Sequence, residues 1–154
     1  MSDAIAFRVA HREDVPDIVR MLADDDLGSQ REKFTEPLPE SYYAAFEQLD
    51  GDPDHELIVA ESNGNVNGTL HLMFLPSLSY AGGLRAQVES VRVDKKCQNQ
   101  GIGSKMMKWA IERARLRGAH IVQLTTHLSR VDAHRFYERL GFKGSHLGMK
   151  LSLK

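Results

Sequence analysis

Apolar residues recur along this chain with two periods, one typical of helices and one typical of strands. A helical stripe near the start consists of Val15, Ile18, Val19 and Leu22. Further on, two apolar runs flank Asn63-Gly64-Asn65, a turn sequence that predicts a hairpin. The predicted strands are residues 4–10, 56–61, 66–75, 86–93, 121–126, 142–146 and 149–153. The predicted helices are residues 13–24, 41–49, 101–117 and 130–140.

This order of elements predicts an α/β protein of the α+β type. Its sheet is expected to be mixed, mostly antiparallel and twisted, with about seven strands and with four helices on its faces. A length of 154 residues is typical of one domain, so residues 1–154 are predicted to form a single domain.

Composition narrows the range of partners. The formal net charge of -1 gives no overall attraction to nucleic acid or to membranes. The lone cysteine, Cys97, excludes a disulfide within the chain. The first residues lack the basic and apolar stretches of a signal peptide, and no apolar run is long enough to span a membrane. We therefore expect a cytoplasmic protein without nucleic-acid or membrane partners.

A glycine turn lies between the predicted strand 86–93 and the predicted helix 101–117. Backbone N–H groups at a helix start are unpaired and partly positive, and Gly101 and Gly103 let a phosphate approach them closely. Met106 replaces the third glycine of a dinucleotide fingerprint, and no Walker sequence occurs. We predict a site for a phosphorylated cofactor; an ordinary strand-to-helix turn is the alternative. The candidate binding residues are Gln98, Asn99, Gln100, Gly101, Ile102, Gly103 and Ser104.

A second pattern occupies residues 132–142. Four residues recur there at helical spacing: Ala133, Phe136, Tyr137 and Leu140. Gly141 follows where a left-handed residue commonly ends a helix. Taken alone, the pattern predicts an amphipathic helix with a glycine cap.

Together the two patterns resemble the signatures of the GNAT N-acetyltransferase family. Gln-x-x-Gly-x-Gly at 98–103 is similar to its acetyl-CoA signature, and Ala-x-x-x-Tyr-Glu-x-Leu-Gly-Phe at 133–142 is similar to its second signature. The resemblance implies the GNAT fold, acetyl-CoA as cofactor, and direct transfer of acetyl to the primary amine of a small molecule. It also implies a bulge in the strand 86–93 and cofactor contacts beyond the glycine turn. These further contact residues are Val91, Arg92, Val93, Thr126, Ala133 and Tyr137. Arg130 departs from the family, which commonly has an asparagine there; we expect Arg130 or Arg135 to meet the ribose 3′-phosphate of the coenzyme, and a solvated helix face is the alternative.

The resemblance gives two side chains a chemical role. Glu89 is expected to be the general base that deprotonates the acceptor amine, and its apolar strand neighbours lead us to expect burial. Tyr137 is expected to be the general acid for the coenzyme sulfur. The backbone N–H of Val91, or of a neighbour, is expected to donate to the acetyl carbonyl. A solvent-facing glutamate and a core tyrosine are the alternatives.

The sequence indicates the acceptor amine less clearly than it indicates the cofactor. Tyr42, Tyr43, Phe74 and Glu89 are the candidates for contacting it, although each aromatic ring fits a core position at least as well. Residues 132–137, with Thr125, Thr126 and Ser145-His146, are similar to the aminoalkylphosphonate N-acetyltransferase branch, which implies an amine that carries a phosphonate.

Other partners and functions follow from the same residues. The seven histidines lack metal-ligand spacing, so no metal site is predicted, and His71 is expected to be a satisfied or exposed strand histidine. The resemblance implies a homodimer. The alternative functions are a catalytically weak CoA-binding regulatory module, acetylation of a protein lysine or N-terminus, and DNA binding through the basic helix 101–117. The lack of a helix-turn-helix pair argues against DNA binding.

Overall fold

The computed structural model describes residues 4–154. The strands are β1 Ala6–Val9, β2 His55–Ser62, β3 Asn65–Pro76, β4 Leu84–Val93 and β5 Ile121–Leu124. The helices are α1 Val15–Ala23, α2 Asp26–Arg31, α3 Glu40–Asp50, α4 Ser79–Gly82, α5 Ile102–Leu116 and α6 Val131–Arg139, with 3-10 turns at Arg12–Asp14 and Lys95–Cys97. The chain divides into two compact units between Gln123 and Leu124.

The five strands form one sheet in the order β1-β2-β3-β4-β5. β1 with β2, β2 with β3, and β3 with β4 are antiparallel pairs. The predicted hairpin between β2 and β3 is confirmed: Asn63 and Gly64 have φ values of 51° and 73°. Two consecutive left-handed residues match the right-handed twist of the flanking strands, which is why this sequence makes the tight connection.

The first unit has apolar packing on both sides of its sheet. α5 packs on β3 and β4, where the buried residues include Leu70, Leu72, Ala86, Val88, Met106, Met107 and Ala110. On the other side, a second cluster joins β2 to the first and third helices through Val15, Ile18, Val19, Met21, Phe46 and Val59. Burial of the two clusters holds the sheet between helices, as the predicted mixed fold requires.

The structure corrects the predicted number of elements. Among the described residues there are five strands rather than about seven, because 142–146 and 149–153 are not strands and β5 ends at Leu124. The C-terminal alternation is present in the sequence, but its apolar side chains stay exposed: Leu147 78%, Met149 86%, Leu151 86% and Leu153 90%. A strand needs a paired neighbour, and period-two patterning alone does not supply one. The extra helices are α2 and the single turn α4, whose Tyr80 and Ala81 have positive φ.

The corner between α1 and α2 is unusually tight. The side chain of Asp25 caps α2 by accepting a hydrogen bond from the backbone N–H of Gly28 at 2.5 Å. Gly28 is buried, and a Cβ atom at this position would lie 1.9 Å from the carbonyl oxygen of Leu22. The first long loop therefore begins with an ordered helical turn pressed against the end of α1.

Candidate active site

The turn between β4 and α5 is anchored by a buried carboxylate. Asp94 Oδ1 accepts a hydrogen bond from the backbone N–H of Lys96 at 2.9 Å, and Asp94 Oδ2 pairs with Arg20 Nη1 on α1 at 2.9 Å. The backbone hydrogen bond and the Arg20 guanidinium together lower the pKa of Asp94 despite its burial. Since the pKa is depressed on folding, these contacts stabilise the fold above the unfolded pKa, and that contribution is lost as the pH falls through the folded pKa.

The glycine turn itself leaves a helix N-terminus open. Gly101 is the cap residue of α5 with φ of +80°, and a Cβ atom at this position would meet no other atom within 4 Å. No side chain caps α5, and its first turn contains no acidic residue. Gln98, Asn99 and Gln100 are exposed beside the turn, whereas Ile102 is buried and anchors the helix start. This arrangement fits an anionic group such as a pyrophosphate.

A bulge interrupts the pairing of β4 with β3. Thr69 pairs with Arg92 and His71 pairs with Glu89, so Ser90 and Val91 together stand opposite the single residue Leu70. Ser90 takes a left-handed conformation with φ of 56°. Two residues opposite one define a β-bulge, which frees backbone groups from the ladder. The bulge implied by the family resemblance is therefore present, at Ser90–Val91.

The residues that follow the bulge are held by side-chain contacts. Arg92 Nη1 donates a hydrogen bond to the carbonyl oxygen of Val91 at 2.8 Å, and Arg92 Nη2 lies 3.8 Å from Asp25 Oδ2. Val93 rejoins the ladder opposite Gly68. The main chain of Val91–Val93 is thus fixed on the same strand as Glu89.

Glu89 is exposed, so the expectation that it would be buried is wrong. Its carboxylate accepts a hydrogen bond from Gln87 Nε2 at 2.8 Å, and Gln87 Oε1 in turn accepts one from Gln123 Nε2 at 2.9 Å. The apolar neighbours in sequence face α5, because side chains alternate across a strand. Glu89 therefore stands on the side of the sheet away from α5, within a row of polar side chains.

A histidine pair completes this row, and sequence reasoning did not assign it a role. His71 lies directly opposite Glu89 on β3, and His71 Nε2 is 2.9 Å from Nδ1 of His55 on β2. Burial, and next the nearby His55, lower the pKa of His71, although the Glu89 charge acts in the opposite direction. The two histidines are separated by 16 positions, and the strand register needed to pair them was not available from composition.

The structure separates the aromatic acceptor candidates. Phe74 is 1% exposed and its ring lies 4.0 Å from the Arg117 guanidinium, so it has a core position, and its contact with an acceptor stays a prediction. Tyr42 is half-buried, and its hydroxyl accepts from the backbone N–H of Lys33 at 2.9 Å. Tyr43 is also half-buried and lies under the guanidinium of Arg12 at 4.3 Å. Both tyrosines have structural contacts, and contact with an acceptor stays a prediction.

The second compact unit carries the remaining predicted residues. Tyr137 is half-buried on α6, with ring centroids 5.1 Å from Phe136 and 5.9 Å from Phe142 in edge-to-face arrangements. A concavity of about 330 Å³ at the start of α6 is lined by Ser129, Arg130, Val131, Asp132 and Ala133. Thr126 is half-buried in the segment before α6. Arg130 and Ala133, both predicted cofactor residues, therefore line one concave surface.

Comparison with known proteins identifies the family. A model described as the acetyltransferase (GNAT) family matches residues 25–142. The chain belongs to the GNAT family. The matched residues include both sequence signatures, and the prediction of an acyltransferase is confirmed at the level of the family.

Three individual proteins are similar to this chain in sequence or in fold. Over 95 residues, the GNAT chain is 38% identical to an aminoalkylphosphonate N-acetyltransferase of Salmonella typhimurium, a stretch that covers 62% of this chain and 61% of that relative's length. It is 47% identical to a protein of Bacillus halodurans C-125 described as a transcriptional regulator, with a TM-score of 0.95. That match covers 97% of this chain and 100% of the other. The chain shares its fold with glucosamine-6-phosphate N-acetyltransferase of Arabidopsis thaliana, with a TM-score of 0.80 at 18% identity. That match covers 99% of this chain and 100% of the other.

Two further observations concern the described part of this GNAT chain. In residues 4–154, no three side chains of His, Cys, Asp or Glu come together in a cluster that could hold a metal ion. Over the same residues, no helix is both long enough and apolar enough to cross a membrane.

Proposed function

We propose that this protein transfers the acetyl group of acetyl-CoA to a primary amine of a small molecule by direct attack. The observation that carries the proposal is the bulge at Ser90–Val91, directly after Glu89 and on the strand that leads into the open N-terminus of α5. One strand thereby presents a carboxylate, freed backbone groups and an anion site in succession. Acetyl transfer needs all three, for the amine, the thioester oxygen and the coenzyme phosphates.

The β4–α5 segment supports binding of the coenzyme. When bound, acetyl-CoA supplies the acetyl group as a thioester. The amides of Gly101, Ile102 and Gly103 are placed to receive pyrophosphate oxygens, since α5 has neither a side-chain cap nor a first-turn acid. The backbone N–H of Val91 polarises the carbonyl oxygen, and the main chain of Val91–Val93 binds the pantetheine arm. Arg130 and Ala133 stay predicted coenzyme contacts.

Glu89 and Tyr137 move the protons in this mechanism. An ammonium group has no lone pair, so the Glu89 carboxylate first accepts a proton from the acceptor nitrogen. The nitrogen lone pair would then form the new amide bond as the carbon–sulfur bond of the thioester breaks. The second nitrogen proton would leave at this step and, through solvent, restore the Tyr137 hydroxyl after that hydroxyl has given up its own proton. The Tyr137 hydroxyl donates a proton to the leaving thiolate.

Arg85 indicates that the acceptor carries an anionic group. Arg85 precedes Glu89 by four positions, so both side chains project from the same side of β4. The Arg85 side chain is half-buried, and its buried Nε has no hydrogen-bond partner among residues 4–154. Buried polar groups are nearly always paired in native proteins, and a guanidinium pairs best with carboxylate, phosphonate or phosphate. The Salmonella relative, by its name, acetylates aminoalkylphosphonates.

Replacement of Arg85 tests this acceptor class. Arg85→Gln is expected to raise KM for an aminoalkylphosphonate by about 10-fold or more, because a charge-assisted hydrogen bond contributes about 1.5–3 kcal/mol. KM for an alkylamine of equal length should not change. Arg115→Gln is the matched control, since Arg115 is an exposed α5 residue paired with Glu112. Equal effects of Arg85→Gln on both amines would contradict the assignment.

The proposed activity is tested by thiol release from acetyl-CoA with a panel of amines. The panel consists of aminoalkylphosphonates, polyamines, amino acids, aminoglycosides and a lysine peptide, each with and without a divalent metal. We expect turnover with aminoalkylphosphonates, and a loss of about 100-fold in kcat for Tyr137→Phe, within the usual range for a general acid. Absence of acetyl-CoA binding would overturn the proposal.

Two alternative functions give different outcomes in the same assay. Binding of acetyl-CoA without turnover on any amine would support a CoA-binding regulatory module, and turnover on the lysine peptide alone would support protein acetylation. DNA binding is raised by the description of the Bacillus halodurans relative. However, two basic side chains of α5 and one at its C-terminal cap are already paired with acids: Arg113 with Glu56, Arg115 with Glu112, and Arg117 with Asp54. A homodimer, a single domain and a cytoplasmic location stay predictions.

A further inference from the structure

The row of polar side chains beside Glu89 extends across three strands. Glu89 on β4 is opposite His71 on β3, and His71 Nε2 lies 2.9 Å from His55 Nδ1 on β2. The two imidazole rings have centroids 5.1 Å apart at an interplanar angle of 36°. A hydrogen bond between two imidazoles requires one ring to donate and the other to accept, so the pair is a path for a proton as well as a contact.

The surroundings of His55 set the direction of this hydrogen bond. His55 Nε2 lies 3.9 Å from the Asp52 carboxylate, which favours a proton on that nitrogen. In the tautomer with its proton on Nε2, His55 accepts at Nδ1, and His71 donates from Nε2. His71 Nδ1 keeps its lone pair, and none of the described residues donates a hydrogen bond to it. The base end of the pair therefore lies on the β3 residue opposite Glu89.

We infer that His71 and His55 form a proton relay that carries the acceptor's proton from Glu89 to the edge of the sheet. The inference rests on the proposed function, because it takes Glu89 as the group that first receives the proton. His71 touches no substrate atom and acts through Glu89, so it is a positioning residue. A relay serves the reaction if the acceptor and coenzyme of the proposed complex cover Glu89, because its carboxylate would then be separated from bulk water.

The proton transfers balance along the row. Protonated Glu89 gives its proton to His71 Nδ1 directly or through one water, since side chains opposite each other in an antiparallel pair have Cβ atoms about 4.5–5.5 Å apart. His71 Nε2 passes its proton to His55 Nδ1, and His55 Nε2 releases one toward Asp52. Each imidazole gains one proton and loses one. Glu89 returns to a carboxylate, and exchange with solvent resets the tautomers.

The far end of the relay has an exit. His55 lines a cavity of about 40 Å³ together with Asp50, Phe46 and Leu57. A space of this size can hold a water molecule when polar groups line it, and here an imidazole and a carboxylate do so. Asp52 is also close to His55 at the surface. A proton that reaches His55 can therefore leave without passing the acceptor.

The electrostatics of His71 suit this role. The titratable groups that face the relay are Glu89 from β4, His55 from β2, Asp52 from the preceding turn and Asp50 from α3. Burial and His55 lower the pKa of His71, which favours the neutral imidazole, the form that can accept a proton. As the pH falls through this lowered pKa, His71 becomes charged, and the relay should stop.

Removal of the imidazole gives the first test. With the full-length protein and the amine turned over by wild type, His71→Ala is expected to lower kcat at pH 7 by about 10-fold or more, in line with the loss of an assisting proton-transfer group. Added imidazole should restore much of the rate. The fall of kcat at low pH that protonation of His71 causes in the wild type should be absent from the pH profile of the variant. His120→Ala is the matched control, because His120 stacks on Tyr80. An unchanged profile, or a loss that imidazole does not restore, would overturn the relay.

A titration that needs no turnover separates this inference from the proposed function. The pKa values of His71 and His55 are followed by NMR of the imidazole nitrogens in the free protein. Because Glu89 raises the pKa of His71 and His55 lowers it, Glu89→Gln should lower the measured value and His55→Gln should raise it. Independent titration of the two histidines would overturn the relay even if acetylation is observed. Coupled titration in a protein without turnover on any amine would overturn the proposed function instead.

Discussion

Glu89→Gln is expected to lower kcat/KM for the acceptor amine by about 10²–10⁴-fold, the range typical of a lost general base. Glutamine has nearly the same shape and can still hydrogen-bond to Gln87, but it cannot accept a proton from an ammonium group. The dissociation constant of acetyl-CoA should stay unchanged, since the proposed coenzyme contacts are made by the main chain beyond the bulge. Steady-state kinetics and calorimetric titration measure the two quantities on one preparation.

The design of this experiment depends on the exposure of Glu89. Because the side chain is exposed, the substitution leaves no buried unpaired group, and a loss of activity cannot be explained by unfolding. Glu112→Gln is a suitable control, as Glu112 is an exposed glutamate on α5 that pairs only with Arg115 among the contacts of the described chain. If Glu89→Gln keeps the wild-type rate and the wild-type pH profile, Glu89 is not the base.

Among the substitutions of a glycine by alanine, each of which adds one methyl group, Gly28→Ala is expected to lower the free energy of unfolding most. The new Cβ atom would lie 1.9 Å from the backbone oxygen of Leu22, so the backbone of α1 or α2 must move. Overpacking of this kind costs about 3 kcal/mol at the upper end of its usual range. Urea denaturation followed by circular dichroism measures the change in free energy of unfolding.

Gly144→Ala provides the comparison for that substitution. A Cβ atom at Gly144 meets nothing within 4 Å, and its φ is not in the left-handed region. The same added methyl group should therefore leave the unfolding midpoint within experimental error. Equal midpoints for Gly28→Ala and wild type would show that the corner between α1 and α2 relaxes without cost.

Local sequence signals predicted the elements that need no distant partner. Asn63-Gly64 predicted its hairpin because both residues accept left-handed backbone, and Gly101 predicted its helix start for a similar conformational reason. The stripe of α1 predicted its buried face. In contrast, the alternation at the C-terminus predicted a strand that the structure lacks, since pairing depends on a neighbour that the local sequence does not specify.

Features of the site that depend on register could not be predicted in this way. The contact of His55 with His71 follows from the pairing of β2 with β3, and the position of His71 beside Glu89 follows from the next pair. The unpaired Nε of Arg85 depends on what covers it, which is a property of packing. Glu89 was found from the resemblance, yet its exposure was predicted wrongly because its strand neighbours point to the opposite side.

The bulge at Ser90–Val91 also reverses the assignment of odd and even positions along β4. Before the bulge, odd-numbered residues of β4 such as Glu89 lie on the same side of the sheet as His71. After the bulge, the even-numbered Arg92 lies opposite Thr69, and Thr69 and His71 lie on one side of β3 because they are two positions apart. One inserted residue therefore brings the Glu89 carboxylate and the Arg92 side chain to a common surface, although the two residues are three positions apart. The number of residues in this segment therefore matters. Deletion of one residue at the bulge would turn every side chain from there to the end of β4 to the opposite face of the sheet.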